Sequence, residues 1–220
     1  MITIDSLGSS DFKREHGVRY AYVAGSMVRG IASVPVVVSM ARAGFLGYFG
    51  TGALTLETIE KAILDIKAAL GEDQPWGMNL LSNAATPQAE MDTVDLFLRH
   101  GVRRVEASAY MQISPALVKY RAKGLRRDAG GRIRFRTLLL AKLSRPEIAT
   151  LFLSPAPEKI VAALLRDGEI TAEEADLARS VPMADDICVE ADSGGHTDMG
   201  TLSTLLPTIR RVSGGAKIHH

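Results

Sequence analysis

The sequence has few features of a secreted, membrane or metal-binding protein. Cys188 is the only cysteine, so the chain cannot form an internal disulfide. Its longest apolar runs, such as residues 138–141, are far too short to span a bilayer, and its first residues lack the pattern of a signal peptide. The net charge of +1 gives no general attraction to nucleic acid or lipid. We therefore expect a cytoplasmic protein without a nucleic-acid, membrane or metal partner.

The composition is that of one globular domain. Hydrophobic residues make up 46% of the chain and charged residues 23%, values that exclude a disordered polypeptide. A chain of this length can bury one sizeable core. We predict a lead-in over residues 1–17, an α/β domain over 18–212 and a tail over 213–220, whose two histidines we exclude from functional reasoning.

Short apolar runs alternate with segments of helical periodicity along the chain. The runs predict strands at residues 18–24, 45–49, 76–80, 102–107, 137–143 and 187–189. Such strict alternation is typical of a parallel sheet with right-handed crossovers. Because a closed barrel needs eight strands, we predict an α/β fold of the (β/α)8 TIM-barrel type that is incomplete, with about six βα units in this chain.

The last predicted strand leads into a dense cluster of polar and glycine residues. Residues 190–196 are Glu-Ala-Asp-Ser-Gly-Gly-His. The paired glycines let a ligand approach bare backbone, and His196 can exchange a proton near neutral pH. Sites of α/β proteins lie at the carboxyl ends of strands. The cluster therefore predicts a ligand site with a catalytic His196; the alternative is a histidine that only makes structural hydrogen bonds.

The same cluster carries a family resemblance. Residues 189–198 resemble the Glu-Ala-Gly-Gly-His signature of the FMN-dependent nitronate monooxygenase and enoyl reductase superfamily, and are most similar to the trans-acting enoyl reductases of polyketide and polyunsaturated fatty-acid synthases. Other stretches resemble the same group, so that the likeness covers nearly all of residues 7–211; they are 20–27, 43–50, 77–80, 102–108, 141–147 and 152–158.

The resemblance implies a TIM barrel that binds FMN at the carboxyl ends of its strands. It implies NADPH-dependent reduction of an α,β-unsaturated acyl thioester on an acyl carrier protein, with His196 as the catalytic residue. The residues that it implies for flavin binding are Ala24, Gly25, Met27, Asn79, Lys142, Glu190, Ser193, Gly194 and Gly195.

Two other functions remain open. The first is oxidation of nitronates, in which His196 would abstract a proton. The second is a non-catalytic fragment, because relatives continue with two further strand–helix units whose loops hold most of the FMN phosphate. An open barrel exposes two strand edges, so we expect a homo-oligomer or a partner that covers them.

Several charged residues have two interpretations. Glu106 and Glu190 either hold the ribityl hydroxyls of FMN or pair with Arg or Lys inside the barrel. Lys142 faces the cofactor or lies on the surface, and Cys188 is expected to be an inert core residue. A run of basic residues is either a solvated surface or a docking site for an acidic carrier protein or the phosphate of NADPH; it consists of Lys119, Arg121, Lys123, Arg126, Arg127, Arg132, Arg134 and Arg136.

Overall fold

The computed structural model describes residues 3–71, 74–191 and 200–212. The strands are β1 (Val23–Ala24), β2 (Leu46–Phe49), β3 (Gly77–Leu81), β4 (Arg104–Ser108), β5 (Arg126–Arg127), β6 (Ile133–Arg134), β7 (Leu138–Leu143) and β8 (Asp186–Val189). Six of them form one sheet in the order β1-β2-β3-β4-β7-β8, and every neighbouring pair in it is parallel. The other two, β5 and β6, form an antiparallel hairpin.

Helices connect the parallel strands. They are α1 (Ser10–His16), α2 (Val34–Arg42), α3 (Leu56–Leu70), α4 (Pro87–Arg99), α5 (Pro115–Ala122), α6 (Pro146–Leu153), α7 (Glu158–Arg166), α8 (Ala172–Ala178) and α9 (Leu202–Val212), with short 3-10 turns at Ile4–Ser6 and Val28–Gly30. The hydroxyls of Thr55 and Ser114 cap α3 and α5 by accepting backbone hydrogen bonds. None of the helices in the described ranges has the length and apolarity needed to cross a membrane.

This arrangement confirms the predicted fold class. The chain is an α/β protein of the (β/α)8 barrel type with six parallel strands, and within the described residues β1 and β8 are the edges of the open sheet. The predicted first strand, 18–24, is too long. Only Val23 and Ala24 pair with β2, because the Tyr22 amide donates to the Tyr20 carbonyl and turns the chain just before the strand.

The two faces of the sheet differ in polarity. The outer face packs with the helices into the main apolar core, which includes Met78, Val105 and Leu139. Alternate residues of the same strands face the concave side, and many of these are polar. Phe12 of α1 packs with the inward-facing Tyr48 in a second, smaller cluster. The helix α1 therefore covers the amino ends of the strands on the concave side.

Buried polar groups complete this amino-end closure. His16 Nε2 and Asp186 Oδ2 are 2.7 Å apart, and both side chains are fully buried. The guanidinium of Arg104 donates to the His16 carbonyl at 2.8 Å. Because the amino end is filled by these contacts, open space on the concave side is left at the carboxyl ends of the strands.

Candidate active site

A cavity of about 900 Å³ lies at the carboxyl ends of the parallel strands. Its lining comes from residues 25–28, Ile31, Gly52, Asn79, Leu81, 108–109, Lys142 and 188–191. These residues follow or end β1, β2, β3, β4, β7 and β8. The volume lies in the usual range of small-molecule sites, roughly 300–1,000 Å³.

Strand register brings the lining side chains to one level. Leu81 pairs with Ser108, Ser108 with Lys142, and Lys142 with Cys188. One register level further toward the amino end, Asn79 pairs with Glu106. Since side chains alternate along a strand, both levels face the concave side.

A lysine between two carboxylates forms the polar floor of the cavity. Lys142 Nζ is 3.9 Å from Glu106 Oε2 and 3.7 Å from Glu190 Oε1. The Lys142 side chain is 14% exposed and that of Glu106 only 1%. Glu106 Oε2 also accepts hydrogen bonds from Ser26, one from its backbone N–H at 3.1 Å and one from its hydroxyl. The carboxylate of Glu106 therefore ties the segment after β1 to β4 and β7.

Burial perturbs two titratable groups of this site. It raises the pKa of Glu106, while the charge of Lys142 and the hydrogen bonds from Ser26 act in the opposite direction. Burial, together with the charge of Glu106, raises the pKa of Cys188 to about 11. Cys188 lines the cavity and is half-buried, and at neutral pH it is a thiol rather than a nucleophilic thiolate.

The amide of Asn79 is fixed by its neighbours. Its Nδ2 donates to the Glu106 carbonyl at 3.0 Å and to Ser108 Oγ at 2.9 Å. Its own backbone carbonyl accepts from the Thr51 hydroxyl at 2.9 Å. The side-chain oxygen of Asn79 accepts no hydrogen bond from the residues that the structure describes. This oxygen is therefore a candidate acceptor for an N–H group of a ligand.

The segment after β1 forms one wall, which leaves little room for a side chain at Gly25 and none at Gly50. A Cβ on Gly25 would lie 3.2 Å from Glu106 Oε1, and one on Gly50 would lie 1.6 Å from the Met27 carbonyl oxygen. The side chains of Met27, Val28 and Ile31 are exposed at the cavity mouth. The wall thus combines bare backbone at the floor with apolar side chains at the entrance.

Five of the predicted site residues meet in this cavity: Gly25, Met27, Asn79, Lys142 and Glu190. Ala24 is the last residue of β1 and is not part of the lining. The remaining four, Ser193, Gly194, Gly195 and His196, lie outside the described residues, so that their roles stay predictions.

Other residues of the site were missed or left open by the sequence. Ser26 and Ser108 were not singled out, although each stands at or just after the end of a strand, where side chains of an α/β site are expected. For Glu106 the structure supports the interpretation of a carboxylate paired inside the barrel.

The predicted basic run is not one surface. Lys119 is buried between Asp95 and Glu169. Arg121 is buried and donates two hydrogen bonds to Asp185, of 2.7 and 3.0 Å. The interpretation of these two residues as solvated or as carrier-docking groups is therefore wrong, because helices α4, α7 and α8 pack around α5.

Fold and cavity together define a barrel-type protein with a cavity of small-molecule size at the carboxyl ends of its strands. The chain is 53% identical over 209 residues to the polyketide biosynthesis protein ThaF of Burkholderia thailandensis. It is 44% identical over 207 residues to a component of the polyunsaturated fatty acid synthase of Thraustochytrium sp.. These matches cover 95% and 94% of this chain, but only 18% and 14% of the two relatives.

A solved structure also matches the chain. The enoyl reductase domain of MlnA, from the macrolactin biosynthesis cluster of Bacillus amyloliquefaciens, matches with a TM-score of 0.91 and 39% sequence identity, over 96% of this chain and 47% of that one. No protein-family model matches the chain. These matches confirm the resemblance to the trans-acting enoyl reductases of polyketide and polyunsaturated fatty-acid synthases that the motifs predicted.

Proposed function

We propose that this chain forms the flavin-binding and substrate-binding part of an enoyl reductase, which uses FMN and NADPH to reduce α,β-unsaturated acyl thioesters on an acyl carrier protein. The observation that carries the proposal is the cavity with Lys142 at its floor, in a chain that shares 39% identity with an enoyl reductase domain. The chain spans only part of the length of its relatives, and we propose this activity for the whole protein as well.

The lining residues fit a planar, polar-edged ring. Gly25 presents backbone without a side chain, and the free side-chain oxygen of Asn79 can accept a hydrogen bond from a ring N–H. Lys142 supplies a positive charge for an electron-rich ring. When bound, reduced FMN supplies the hydride that adds to the β-carbon of the thioester.

The residues of this chain then have separate tasks. Glu106 positions the Gly25–Ser26 backbone and Lys142 through the contacts described above. The enolate that follows hydride addition needs a proton at the α-carbon and hydrogen-bond donors at the thioester oxygen. We assign the proton to His196, the residue that follows the paired glycines. The exposed Met27, Val28 and Ile31 suit an acyl chain that enters through the mouth of the cavity.

The test is an assay of the purified full chain. We expect a yellow protein with a flavin absorbance spectrum that oxidises NADPH when given crotonyl-carrier protein. His196→Ala should lower kcat at least about 100-fold while the flavin spectrum is unchanged, since general acids contribute roughly 10²–10⁴-fold to rates. His100→Ala is a matched control, because His100 pairs with Glu60 on the outer helices.

Two results would contradict the proposal. Oxygen uptake with a nitronate, without thioester reduction, would assign the chain to the alternative reaction. A colourless protein that neither binds added FMN nor reduces the thioester would identify the chain as the non-catalytic fragment.

A further inference from the structure

The connection from α5 to β7 concentrates positive charge at the amino-end face of the sheet. Residues 123–136 contain six Lys or Arg and one Asp, a charge of +5 within the segment in a chain whose net charge is +1. One of these charges, that of Lys123, is paired with Glu174 of α8. This segment includes the β5–β6 hairpin and enters β7 at its amino end. The cavity of the candidate active site lies at the opposite end of the same strand.

The hairpin places two of these charges directly against each other. Arg126 and Arg134 are cross-strand partners. Like charges at directly opposed positions are destabilising, and a two-stranded hairpin is only marginally stable by itself. Arg134 shares the single carboxylate of Asp128 with Arg132, at distances of 2.7 and 3.3 Å. Within the described ranges Arg126 has no carboxylate within 4.0 Å. An acidic partner would remove the repulsion.

A groove of about 650 Å³ adjoins the hairpin. Its floor is electrically neutral, because Arg121 forms a bidentate pair with Asp185. Its rim carries Arg103 and Arg136, both exposed and, in the described part of the chain, without a carboxylate within 4.0 Å. Phe135 lies among them with 38% of its surface exposed, and its ring centroid is 4.4 Å from the Arg121 guanidinium carbon.

Glu15 is the other carboxylate that lines this groove, and it already has an interaction. Arg126 lies on the hairpin outside the groove lining, so the positive charge extends beyond a site that one small anion would fill. An exposed aromatic ring among arginines is typical of a protein interface, where Phe and Arg are enriched and serve as anchors.

We propose that Arg103, Arg126, Arg134, Phe135 and Arg136 form a docking surface, here named the basic groove, for an acidic protein segment with an apolar residue that packs on Phe135. In ThaF the matched region is 18% of the protein, so a domain of this kind works beside much other polypeptide. Along β7, Leu138 of the groove and Lys142 of the cavity are four residues apart, or about 13 Å at ~3.3 Å per residue. The docked segment is therefore an anchor and leaves the cavity open.

The probe for this proposal is a pair of fluorescein-labelled twelve-residue peptides. One consists of alternating Glu and Asp with a central leucine and phenylalanine, and the other is entirely acidic. The proteins are the full-length wild type, the variant Arg126→Gln/Arg136→Gln, and the control Lys61→Gln/Arg99→Gln, which removes the same charge from the exposed surfaces of α3 and α4. Circular dichroism verifies that each is folded, and fluorescence anisotropy gives Kd at two salt concentrations.

We expect the mixed peptide to bind the wild type and the control alike. The groove variant should bind it at least about tenfold more weakly and with a shallower salt dependence, because rim charges act through screened attraction. Phe135→Ala should weaken binding of the mixed peptide and leave the entirely acidic one unchanged.

Three outcomes would overturn the proposal. The first is equal loss of binding in the groove variant and the control, which would indicate unspecific attraction. The second is no binding by the wild type. The third is displacement of the peptide by inorganic phosphate or ATP at lower concentration than by unlabelled peptide, which would make the groove a small-anion site.

Discussion

Lys142→Met is the most direct test of the polar floor of the cavity. Methionine keeps the length of the side chain and removes the charge that lies 3.9 Å from Glu106 and 3.7 Å from Glu190. At about 4 Å and an effective dielectric constant near 20, one such pair is worth roughly 4 kcal/mol before desolvation. Removing one partner of a buried pair destabilises a protein by about 3–5 kcal/mol. Because the distances exceed hydrogen-bond length, we expect about 3 kcal/mol at pH 8.

The loss should depend on pH with a definite sign. Burial already raises the pKa of Glu106, and Lys142 opposes that increase, so the variant raises this pKa further. A carboxyl whose pKa is higher in the folded state stabilises the fold fully only below the unfolded pKa, and the contribution is lost as pH rises through the folded pKa. The difference in unfolding free energy between wild type and Lys142→Met should therefore be smaller at pH 5 than at pH 8.

Urea unfolding followed by the fluorescence of Trp76, the only tryptophan and a buried one, measures both quantities. A loss of about 3 kcal/mol corresponds to a fall in Tm of roughly 6–12 °C for a chain of this size. Lys61→Met is the control, since its pair with Asp65 is exposed and should change stability by less than about 0.5 kcal/mol. The double variant with Glu106→Gln should regain part of the loss. A loss that is equal at both pH values, with no recovery in the double variant, would refute the reasoning.

Three further experiments test other parts of the structure. Gly50→Ala would place a Cβ 1.6 Å from the Met27 carbonyl oxygen and should lower the free energy of unfolding by more than about 3 kcal/mol. Gly52→Ala would place its Cβ 3.1 Å from the end of a side chain and should lower it by less than half as much. Thermal unfolding compares the two variants. Cys188, with its pKa at about 11, should react with iodoacetamide at pH 8 about 100-fold more slowly than an exposed cysteine, as mass spectrometry can measure. Thr171→Ala should lower the free energy of unfolding in urea by about 1 kcal/mol, because the Thr171 hydroxyl caps α8. An unchanged stability would show that this cap does not stabilise the fold.

Local sequence patterns were enough to predict that strands and helices alternate along the chain as in a barrel. The apolar run of β7 and the prolines that follow Thr86 and Ser114 identify elements without tertiary information. Gly44 follows the C-cap of α2 with a φ of 82°, a conformation that glycine adopts readily and that ends the helix. The boundary of β1 was wrong because it depends on a turn and on pairing with β2, and apolar spacing encodes neither.

The polar floor could be predicted only in part. Alternation along β4 and β7 indicates that Glu106 and Lys142 share a face with their neighbours, but their contact depends on the strand register. Ser26 is 80 residues from Glu106 in sequence, and no local pattern connects them. Lys119 and Arg121 were misread for a related reason. Helix α5 is buried by α4, which precedes it, and by α7 and α8, which follow it in the chain. Its polar residues have the spacing of an exposed helix, and only the tertiary packing shows that they are covered.

The distribution of backbone strain separates the two ends of the barrel. Arg29, Ala53 and Ala109 are the non-glycine residues with positive φ among those described, and they follow β1, β2 and β4 at the cavity end. Such a conformation costs about 1–2 kcal/mol at each position and persists only where the surroundings fix it. The amino end instead holds the buried contacts of His16 with Asp186 and Arg104. Since Ala109 also lines the cavity, the loops there are held in their shape at the expense of stability, as is expected where backbone must be placed against a ligand.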